Sequence, residues 1–443
     1  MREALRCALS RRSPLRRLLR DLARAIEGAG GAAYLVGGYL RDIAEGKTSG
    51  DVDLLVTGLT YRRTGELLRS LGPGTPGIRK VVSAGRHFPV HRIAVDWGKE
   101  YIDVSNARIV TRPPGRRAGS APADDDMAAV EDASRRDFTI NALLFRLDPE
   151  RGVENGRLLD PFGGIEDLRR KRIRCVGEPA ERFREDPLRI LRAIRRKNER
   201  PGTVLHEGTA SAVRRLGPRL LPSVSPDRIS VELVRSLSAD PAGTVDDLRR
   251  VGLLRVLLPE AGTQDAKFAG RIAERYRFLR RSVGMRLPLP ILLANLLADL
   301  PPDAALAAAR RLRLPGFRRV ASTLRGLFHL AHPEALRFPL AETEAVLLGA
   351  EDPGGLIALY RAVRRTGNRP ARDLNRYIRK CAITPYWING TWLDAHSFPK
   401  GPERREILLR IREESLAGKI RGRLGAERLA KSLRYAPCGG KGI

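Results

Sequence analysis

Two aspartates, Asp51 and Asp53, lie in the short apolar segment DVDLLV, residues 51–56. As a β-strand this segment alternates, so both carboxylates project from one face while the aliphatic side chains between them point into a core. Two neighbouring carboxylates repel each other unless a divalent cation neutralises them, and carboxylate oxygens are ligands that Mg²⁺ prefers. The pair therefore indicates a magnesium site, with a solvated strand edge or turn as the simpler alternative.

A glycine turn precedes the two aspartates. Residues 34–36 form a short apolar run typical of a buried strand, and Gly37 and Gly38 then allow a sharp turn without a Cβ in the way. We expect a helix over residues 39–45, so that free backbone N–H groups face the turn, where a phosphate is readily held. A phosphate-binding turn beside a magnesium-binding acid pair is suited to attack on a nucleoside triphosphate.

These motifs together resemble a known family. The strings LVGGYLRD and DVDLLV look like the signature of class II nucleotidyltransferases, which comprise CCA-adding tRNA nucleotidyltransferases and bacterial poly(A) polymerases. The resemblance implies an α+β fold, with an N-terminal nucleotidyltransferase head built on a polymerase-β-like mixed sheet and an all-α neck, body and tail. It implies that Asp51 and Asp53 are catalytic and bind Mg²⁺. It also implies that Gly37, Gly38 and Arg41 hold the triphosphate.

A third acid, Asp103, lies in the strand-like segment YIDV, residues 101–104. The alternation places Asp103 on one face of a neighbouring strand, where it would complete the metal site or position the attacking hydroxyl. The resemblance puts the family's third catalytic acid at this position. A surface acid on an edge strand is the alternative.

Residues 135–142, RRDFTINA, match the second motif of the family. Two adjacent guanidiniums and an acid at the start of an apolar segment suggest a site that binds phosphates and recognises the sugar. The resemblance assigns nucleotide binding to Arg135 and ribose hydroxyls to Asp137 and Asn141. The preceding residues, 109–134, are rich in Pro, Gly, Ala and charge, so we expect a loop without packed structure there.

The string EDPLR, which begins at Glu185, has the geometry for base recognition. Pro187 keeps Asp186 out of helical geometry, which predicts a helix N-cap, and Arg189 falls on the same helix face. Cytosine and adenine both present an amino donor beside a ring-nitrogen acceptor, so an Asp acceptor next to an Arg donor matches both. Uracil and guanine would leave buried partners unsatisfied, at about 1–3 kcal/mol each.

The resemblance assigns base selection to Glu185, Asp186 and Arg189, and it adds Arg192 as a nucleotide-binding residue. A simpler interpretation of the same spacing is that Asp186 only caps the helix and that Arg189 forms a surface ion pair. The other motifs favour base selection, because capping alone does not explain why these residues follow a triphosphate site.

Composition favours a nucleic-acid partner. The chain has 443 residues, 82 basic and 51 acidic, with a formal charge of +31 and an isoelectric point near 11.1. A GC-rich genome that favours Arg inflates the first count but does not explain the imbalance, so RNA or DNA is the expected partner. Residues 368–443 hold 17 basic and 7 acidic residues, a density suited to phosphate backbones.

The sequence carries no signal for a membrane or an oxidising compartment. The four cysteines lack CxxC spacing, so neither a zinc site nor a disulfide framework is indicated, and a reducing cytoplasm is the expected location. The most apolar run, residues 287–300, is interrupted by prolines and polar residues and is too short to span a bilayer. The arginine-rich start lacks a signal-peptide core. We therefore expect a soluble protein without membrane contact.

Periodicity divides the chain into an α/β part and a helical part. We expect one amphipathic helix over residues 1–30, a helix over 62–71, and strands at 34–36, 51–56, 81–82, 91–95 and 101–104. After Asn141 the alternation stops, and from about residue 180 the apolar spacing is helical. The expected domains are a catalytic head (1–145), a neck with base recognition (146–205), a helical body (206–340) and a basic helical tail that binds tRNA (341–443).

The predicted function is template-independent addition of CMP and AMP, from CTP and ATP, to the 3′ end of tRNA. Two magnesium ions would support in-line attack at the α-phosphate. A bacterial poly(A) polymerase, or a partial enzyme that adds only CC or only A, shares these motifs. A non-catalytic RNA-binding protein is a further alternative, and the intact acids and arginines of the site argue against it.

Overall fold

The computed structural model describes most of the chain: residues 1–10, 13–47, 52–84, 89–97, 101–107, 122–261, 266–282, 284–331, 353–364, 387–398, 402–416 and 418–433. The chain divides into two compact units, Met1–Ser223 and Val224–Ile443. Every strand that the described residues form belongs to the first unit, as do all of the predicted site residues.

Two helices, not one, form the start of the chain. Helix α1 spans Arg2–Ser10 and α2 spans Pro14–Gly28. The prediction of a single helix over residues 1–30 is wrong because the Ser13 hydroxyl caps a new helix, accepting a hydrogen bond from the Arg16 N–H at 3.1 Å. Proline follows the cap and suits the first helical turn. The aliphatic side of α2 is buried and packs on the sheet of this unit.

A seven-stranded mixed sheet lies at the centre of the first unit, in the order β3-β4-β5-β2-β1-β6-β7. β2 and β5 run parallel, whereas the other neighbouring strands are antiparallel. The predicted mixed-sheet head is thereby confirmed, and each of the five predicted strands is present with bounds that differ by a few residues. The strands are β1 Ala32–Val36, β2 Val52–Thr57, β3 Ile78–Ala84, β4 Val90–Val95, β5 Tyr101–Asn106, β6 Leu144–Arg146 and β7 Arg157–Leu159.

Helix α5, Pro122–Ser134, covers one face of the sheet. Its Ala129 and Ala133 are fully buried in a cluster with Tyr34 of β1 and Leu55 of β2. The expectation that residues 109–134 contain no packed structure is therefore wrong for α5. Small alanines on one side allow the helix to pack closely on the sheet, and two of the acidic residues that suggested a loop accept hydrogen bonds from hydroxyl groups on β1 and β2.

Strands continue after the point where the sequence alternation ends. β6 and β7 extend the large sheet, and a separate pair is formed by β8 (Arg172–Ile173) and β9 (Val204–Leu205). The sheet thus continues past Asn141, where the sequence alternation was expected to stop, for a simple reason. Segments of two or three residues are too short for a period-two pattern to show in the sequence.

Helices form most of the remaining described structure, so the predicted helical character beyond residue 180 is confirmed apart from β9. The first unit also contains α3 Gly38–Ala44, α4 Tyr61–Leu71, α6 Gly164–Arg169, α7 Pro179–Glu185, α8 Leu188–Asn198 and α9 Glu207–Leu220. The second contains α10 Pro226–Ala239, α11 Pro241–Arg250, α12 Leu253–Leu257, α13 Ala266–Ser282, α14 Leu289–Leu297, α15 Pro302–Arg311, α16 Phe317–Ala331, α17 Pro353–Arg364, α18 Gly390–Ala395, α19 Pro402–Leu416 and α20 Arg423–Leu433. Within the described ranges, no helix combines the length and apolar character needed to cross a bilayer.

Candidate active site

The glycine turn joins β1 to α3 and faces two charged side chains. Gly37 has φ +71° and ψ −136°, a conformation that residues with side chains rarely adopt. A Cβ at this position would lie 3.1 Å from Asp53 Oδ2 and 3.2 Å from Arg136 Nη1. The backbone conformation therefore favours glycine, and a Cβ here would press against these two charged groups. The turn brings a carboxylate and a guanidinium to the start of α3.

Asp53 and Asp103 are register partners on the parallel strands β2 and β5. Their side chains therefore leave the sheet on the same face and lie next to each other, half-buried, while the aliphatic neighbours on each strand are buried. Arg92 on β4 binds Asp103 through two hydrogen bonds of 2.7 Å. Asp51 lies outside the described residues. Those residues contain no group of three or more His, Cys, Asp or Glu side chains that could hold a metal ion.

Four of the predicted nucleotide-binding residues form one chain of polar contacts, here called the buried network: Arg41, Asn141, Asp137 and Arg192. Arg41 Nη1 donates to Asn141 Oδ1 at 2.7 Å, and Asn141 Nδ2 donates to Asp137 Oδ1 at 2.9 Å. Arg192 Nη2 lies 2.7 Å from Asp137 Oδ2. Arg41, Asp137 and Asn141 are 8%, 6% and 6% exposed. These side chains are thus positioned by one another rather than by water.

The pKa of Asp137 is held below its usual value. Burial alone would raise this pKa, but the Arg192 guanidinium and the hydrogen bond from Asn141 outweigh that effect, helped by Arg196 and the Phe138 N–H. Arg192 contributes as an ion pair, because Asp137 Oδ2 has no well-aligned hydrogen-bond donor among the described residues. Asp137 is therefore a carboxylate at neutral pH, and the buried network contains charge-assisted contacts, which are the stronger kind.

A second buried cluster holds the turn that carries Asn141. This residue ends a 3₁₀ turn that starts at Thr139, and the Thr139 hydroxyl donates to Asp167 Oδ2 at 2.7 Å. Asp167, on α6, is fully buried and forms ion pairs with Arg172 and Arg174. The sequence analysis missed Asp167. The sequence pattern that could have indicated Asp167 is an acid followed by two arginines, Arg172 and Arg174, at alternate positions. This spacing places both guanidiniums on the same side of an extended chain.

The predicted base-selecting residues, Glu185, Asp186 and Arg189, lie where α7 meets α8 and are called the base-selecting segment below. Asp186 has an extended backbone, φ −148° and ψ 97°, and its Oδ1 accepts a hydrogen bond from the Leu188 N–H at 3.3 Å. The predicted capping role of Asp186 is thus confirmed. Arg189 donates to Glu185 Oε2 at 2.9 Å and to the Arg135 carbonyl oxygen at 2.7 Å. Base selection by these residues stays a prediction.

The adjacent arginines of the RRD motif point to different places. Arg135, a predicted site residue, pairs with Glu131, and its side chain is 43% exposed. Arg136, the second guanidinium of the predicted phosphate-binding pair but without a role of its own in the prediction, lies at the glycine turn and also donates to the Asn141 carbonyl oxygen at 3.3 Å. The position of Arg136 could have been predicted from its spacing along the helix. Arg136 follows the buried alanines of α5 at helical spacing, so it continues the face that packs on the sheet.

Two protein-family models match the chain. The poly A polymerase head domain matches residues 33–174, and the probable RNA and SrmB-binding site of polymerase A matches residues 204–263. The first model covers the glycine turn, the two described sheet acids and the RRD motif. The base-selecting segment lies between the two matched ranges and is covered by neither model.

Curated relatives carry the names of CCA enzymes. The Multifunctional CCA protein of Xylella fastidiosa strain M23 is 36% identical over 232 residues, which are 52% of this chain and 50% of that protein. The chain thus spans about half the length of such relatives. The CCA-adding enzyme of Coxiella burnetii strain RSA 331 is 31% identical over 285 residues, covering 64% of this chain and 67% of the relative.

Solved structures share the fold along nearly the whole chain. The CCA-adding enzyme of Thermotoga maritima complexed with tRNA matches with a TM-score of 0.69 at 22% identity, over 94% of this chain and 95% of that chain. The Bacillus stearothermophilus enzyme in complex with CTP matches with a TM-score of 0.66 at 23% identity, over 96% and 98%. With the Coxiella relative and the head-domain model, these matches confirm the predicted resemblance. The chain belongs to the family of class II CCA-adding tRNA nucleotidyltransferases and bacterial poly(A) polymerases.

Proposed function

We propose that this protein adds CMP and AMP, from CTP and ATP, to the 3′ end of tRNA without a template. One observation carries the proposal. Asp53 is in register with Asp103 at the glycine turn, and Arg136 links this turn to the Asn141 of the buried network. An acid pair beside a phosphate-binding turn and a rigid polar pocket is what nucleotidyl transfer requires. The names of the Xylella and Coxiella relatives support this reading of the site.

We propose Mg²⁺ as the metal, held by Asp51 and Asp53. The donor chemistry fits, because Asp53 is a half-buried carboxylate whose Oδ2 faces the turn, and Mg²⁺ takes hard oxygen ligands. The part of Asp51 rests on strand alternation and on the family resemblance. Bound there, Mg²⁺ would stabilise negative charge on the attacking and leaving oxygens during in-line displacement at the α-phosphate.

The triphosphate would be held by Gly37, Gly38 and Arg41, and we add Arg136 to the predicted set. Three of the five Arg41 N–H groups are used in bonds to Asp42 and Asn141, so two remain for phosphate oxygens. The backbone N–H groups of the glycine turn provide further donors that need no side chain to move.

The ribose would be recognised by Asp137 and Asn141, the two central residues of the buried network. Asn141 donates one amide hydrogen to Asp137 and accepts from Arg41, so it keeps one N–H and one lone pair for a ribose hydroxyl. Arg192 would act through Asp137, whose carboxylate it pairs with, rather than reach the ribose itself. Arg135 would contribute positive charge from the solvent-exposed edge of the site, because it is half-exposed and already paired with Glu131.

Asp103 would position the attacking 3′-hydroxyl. The sequence left two roles open for this acid, and the bidentate Arg92 contact favours positioning over metal binding, because the guanidinium competes for the same two oxygens. Each carboxylate oxygen retains a second lone pair, which can accept a hydrogen bond from the hydroxyl.

The nucleotide base would be selected by Glu185, Asp186 and Arg189 of the base-selecting segment. We propose that Asp186 accepts the exocyclic amino group of cytosine or adenine while Arg189 donates to the ring nitrogen. The neck (146–205) would then select the base, with the body (206–340) and the basic tail (341–443) binding tRNA. The net charge of +31 supports a polyanionic partner, and the reaction would take place in the cytoplasm with tRNA.

Incorporation of labelled CTP and ATP into three tRNA substrates tests the proposal: tRNA lacking CCA, tRNA ending in C and tRNA ending in CC. Completion of all three substrates with Mg²⁺ is the expected result. ATP use only on the CC end would indicate an A-adding enzyme, and CTP use alone a CC-adding enzyme. Long A tails on any RNA would indicate a poly(A) polymerase. No incorporation into any substrate would contradict the proposed function.

A further inference from the structure

A charged cavity of about 280 Å³ lies beside the buried network in the first unit. It opens to solvent and is lined by the C-terminal ends of α3 and α8 and by the connection from α6 to β8. The charged residues that line it include six cations and four acids: Arg41, Lys47, Lys171, Arg172, Arg196, Arg200, Asp42, Glu45, Asp167 and Glu199. The cations outnumber the acids, and each acid is already engaged in an ion pair.

Each carboxylate of the cavity is neutralised by an arginine or lysine. Asp42 binds Arg41 at 2.7 Å, and Asp167 pairs with Arg172 at 2.6 Å. Glu45 lies 2.7 Å from the Lys47 ammonium and 2.8 Å from the Arg200 guanidinium, and Glu199 binds Arg195 and Arg196. These acids therefore have little negative potential left to offer a cation in the cavity.

Several polar groups on the wall lack a well-aligned hydrogen-bond partner within the described structure, including Arg196 Nε and Glu45 Oε1, which forms only an ion pair with Arg200. The Lys171 ammonium is exposed and reaches only the Pro201 carbonyl oxygen, at 3.4 Å. The Thr203 side chain is 6% exposed, and its hydroxyl has no hydrogen-bond partner among the described residues. A buried hydroxyl without a partner costs free energy, and a ligand oxygen in the cavity would accept its hydrogen.

Arg196 is the most crowded cation of the wall. Burial lowers its pKa, and the nearby guanidiniums of Arg41 and Arg195 lower it further, while Glu199 opposes these effects. Three guanidiniums thus repel one another in a poorly solvated space. An anion among them would relieve this repulsion.

We propose that this cavity binds an anion of the phosphate class, up to the size of pyrophosphate, through Lys171, Arg196 and Thr203. A tetrahedral phosphate can accept from an ammonium, a planar guanidinium and a hydroxyl at the same time, whereas a carboxylate has its acceptors in one plane. The anion has two sources of the same chemistry. It is either free phosphate or pyrophosphate, or the terminal phosphates of a nucleoside triphosphate.

Binding of inorganic pyrophosphate to the full chain tests the proposal, measured by calorimetry and thermal unfolding with EDTA present. We expect saturable binding that raises the unfolding temperature, because a ligand of the native state stabilises it. Lys171→Met should weaken binding by about fivefold to tenfold, since one charge-assisted contact is lost. Arg169→Met is the matched control, because Arg169 is an exposed cation on the neighbouring α6, paired with Glu166 and absent from the wall.

Arg196→Met is a second, independent variant. It should abolish measurable pyrophosphate binding, while its unfolding temperature without pyrophosphate stays close to that of the wild type, because Glu199 keeps Arg195 as a partner. The proposal is overturned if the wild type shows no saturable binding, or if Arg169→Met weakens binding as much as Lys171→Met does. None of these readouts requires nucleotidyl transfer, so failure of the proposed function would leave them unaffected.

A competition arm identifies the source of the anion. If CTP displaces pyrophosphate in EDTA, the cavity takes the terminal phosphates of the nucleotide. If both bind together, the cavity takes a free anion, and either result supports a phosphate site there. Pyrophosphate binding that appears only when Mg²⁺ replaces EDTA would overturn the proposal, because a metal at the sheet acids would then be the anchor.

Discussion

The buried network and the base-selecting segment are built in opposite ways, although both are predicted to touch the same nucleotide. In the network, Asn141 is 6% exposed and is fixed from both sides by Arg41 and Asp137. In the segment, the Asp186 carboxylate caps Leu188 through a longer hydrogen bond of 3.3 Å, and the Glu185 side chain is 46% exposed. The network side chains are buried, whereas the segment combines an exposed Glu185 with an Arg189 side chain that is 16% exposed and bound to the Arg135 carbonyl oxygen.

This difference matches two different chemical tasks. Triphosphate and ribose are the same in CTP and ATP, so the groups that bind them can be fixed before the nucleotide arrives, which lowers the cost of reaching the transition state. Cytosine and adenine differ in size, so the residues that select them must adapt. We expect changes in the network to affect all nucleotides alike and changes in the segment to alter the choice among them.

Loss of the Asp53 carboxylate should have the largest effect. Asp53→Asn keeps the shape of the side chain but removes the charge that would hold Mg²⁺, so incorporation of CTP and ATP should fall by at least about 10³-fold. Binding of tRNA, measured by gel shift, should stay unchanged. The matched control is Asp21→Asn, which removes a partly exposed acid of α2. A variant that still incorporates CTP at the wild-type rate would remove Asp53 from the reaction.

The second-largest effect on incorporation should come from a change in the buried network. Asn141→Ala leaves Arg41 and Asp137 each one hydrogen bond short in a buried site, which we expect to cost about 2–3 kcal/mol in the free energy of unfolding. Incorporation should fall by about 10²-fold with the same factor for CTP and ATP. Urea unfolding and steady-state kinetics measure the two quantities.

A surface amide provides the control for the network variant. Asn155 is exposed and donates to the Arg151 carbonyl oxygen, so Asn155→Ala should cost less than about 1 kcal/mol and leave incorporation unchanged. Equal loss of stability in the two variants would mean that the network contributes nothing beyond ordinary hydrogen bonds.

Two glycine variants distinguish the effect of backbone strain from the effect of contact with the site. Gly37 and Gly46 have nearly the same dihedral, φ +71° and +70°, but a Cβ on Gly46 meets no atom within 4 Å. Both Gly→Ala variants should lose stability through strain at positive φ, by about 1–3 kcal/mol at Gly37, whose ψ of −136° lies outside the left-handed helical region. Only Gly37→Ala should also lower incorporation, by about tenfold, because its Cβ displaces Asp53 or Arg136. Equal activity in the two variants would contradict the site geometry.

Acid should weaken the contribution of Asp137 to stability. Folding lowers the pKa of this carboxyl, so its stabilisation is complete above the unfolded pKa of about 3.9 and is lost as pH falls through the lower folded pKa. The unfolding free energies of the wild type and Asp137→Asn should therefore begin to converge as pH falls below about 4 and continue to converge at lower pH, measured by urea unfolding. Asn155→Ala, which changes no titratable group, should differ from the wild type by a constant amount.

Much of the head was predictable from sequence because its signals are local. Alternation in residues 51–56 and 101–104 placed Asp53 and Asp103 each on one face of its strand, and the glycine pair marked the turn that Asp53 approaches. Pro187 marked Asp186 as a helix cap. Each of these features depends on neighbours along the chain, which a sequence pattern reports directly.

The features that escaped prediction depend on contacts distant in sequence. Arg136 reaches the glycine turn only because α5 packs on the sheet, and Asp167 supports Asn141 through Thr139 across the fold. The Arg92 partner of Asp103 lies on a neighbouring strand whose register the sequence does not specify. The base-selecting segment shows the same limit, because the Arg135 carbonyl that binds Arg189 comes from a distant motif.

The most direct test of the two-region account is the nucleotide preference of Arg189→Leu beside that of Asn141→Ala. We would measure kcat/KM for CTP, ATP, UTP and GTP on tRNA lacking CCA and on tRNA ending in CC. The account predicts that Arg189→Leu lowers the preference for CTP and ATP over UTP and GTP by about 10-fold to 100-fold, whereas Asn141→Ala lowers all four values by one common factor. A changed preference in Asn141→Ala, or an unchanged one in Arg189→Leu, would contradict the division between a fixed network and a selecting segment.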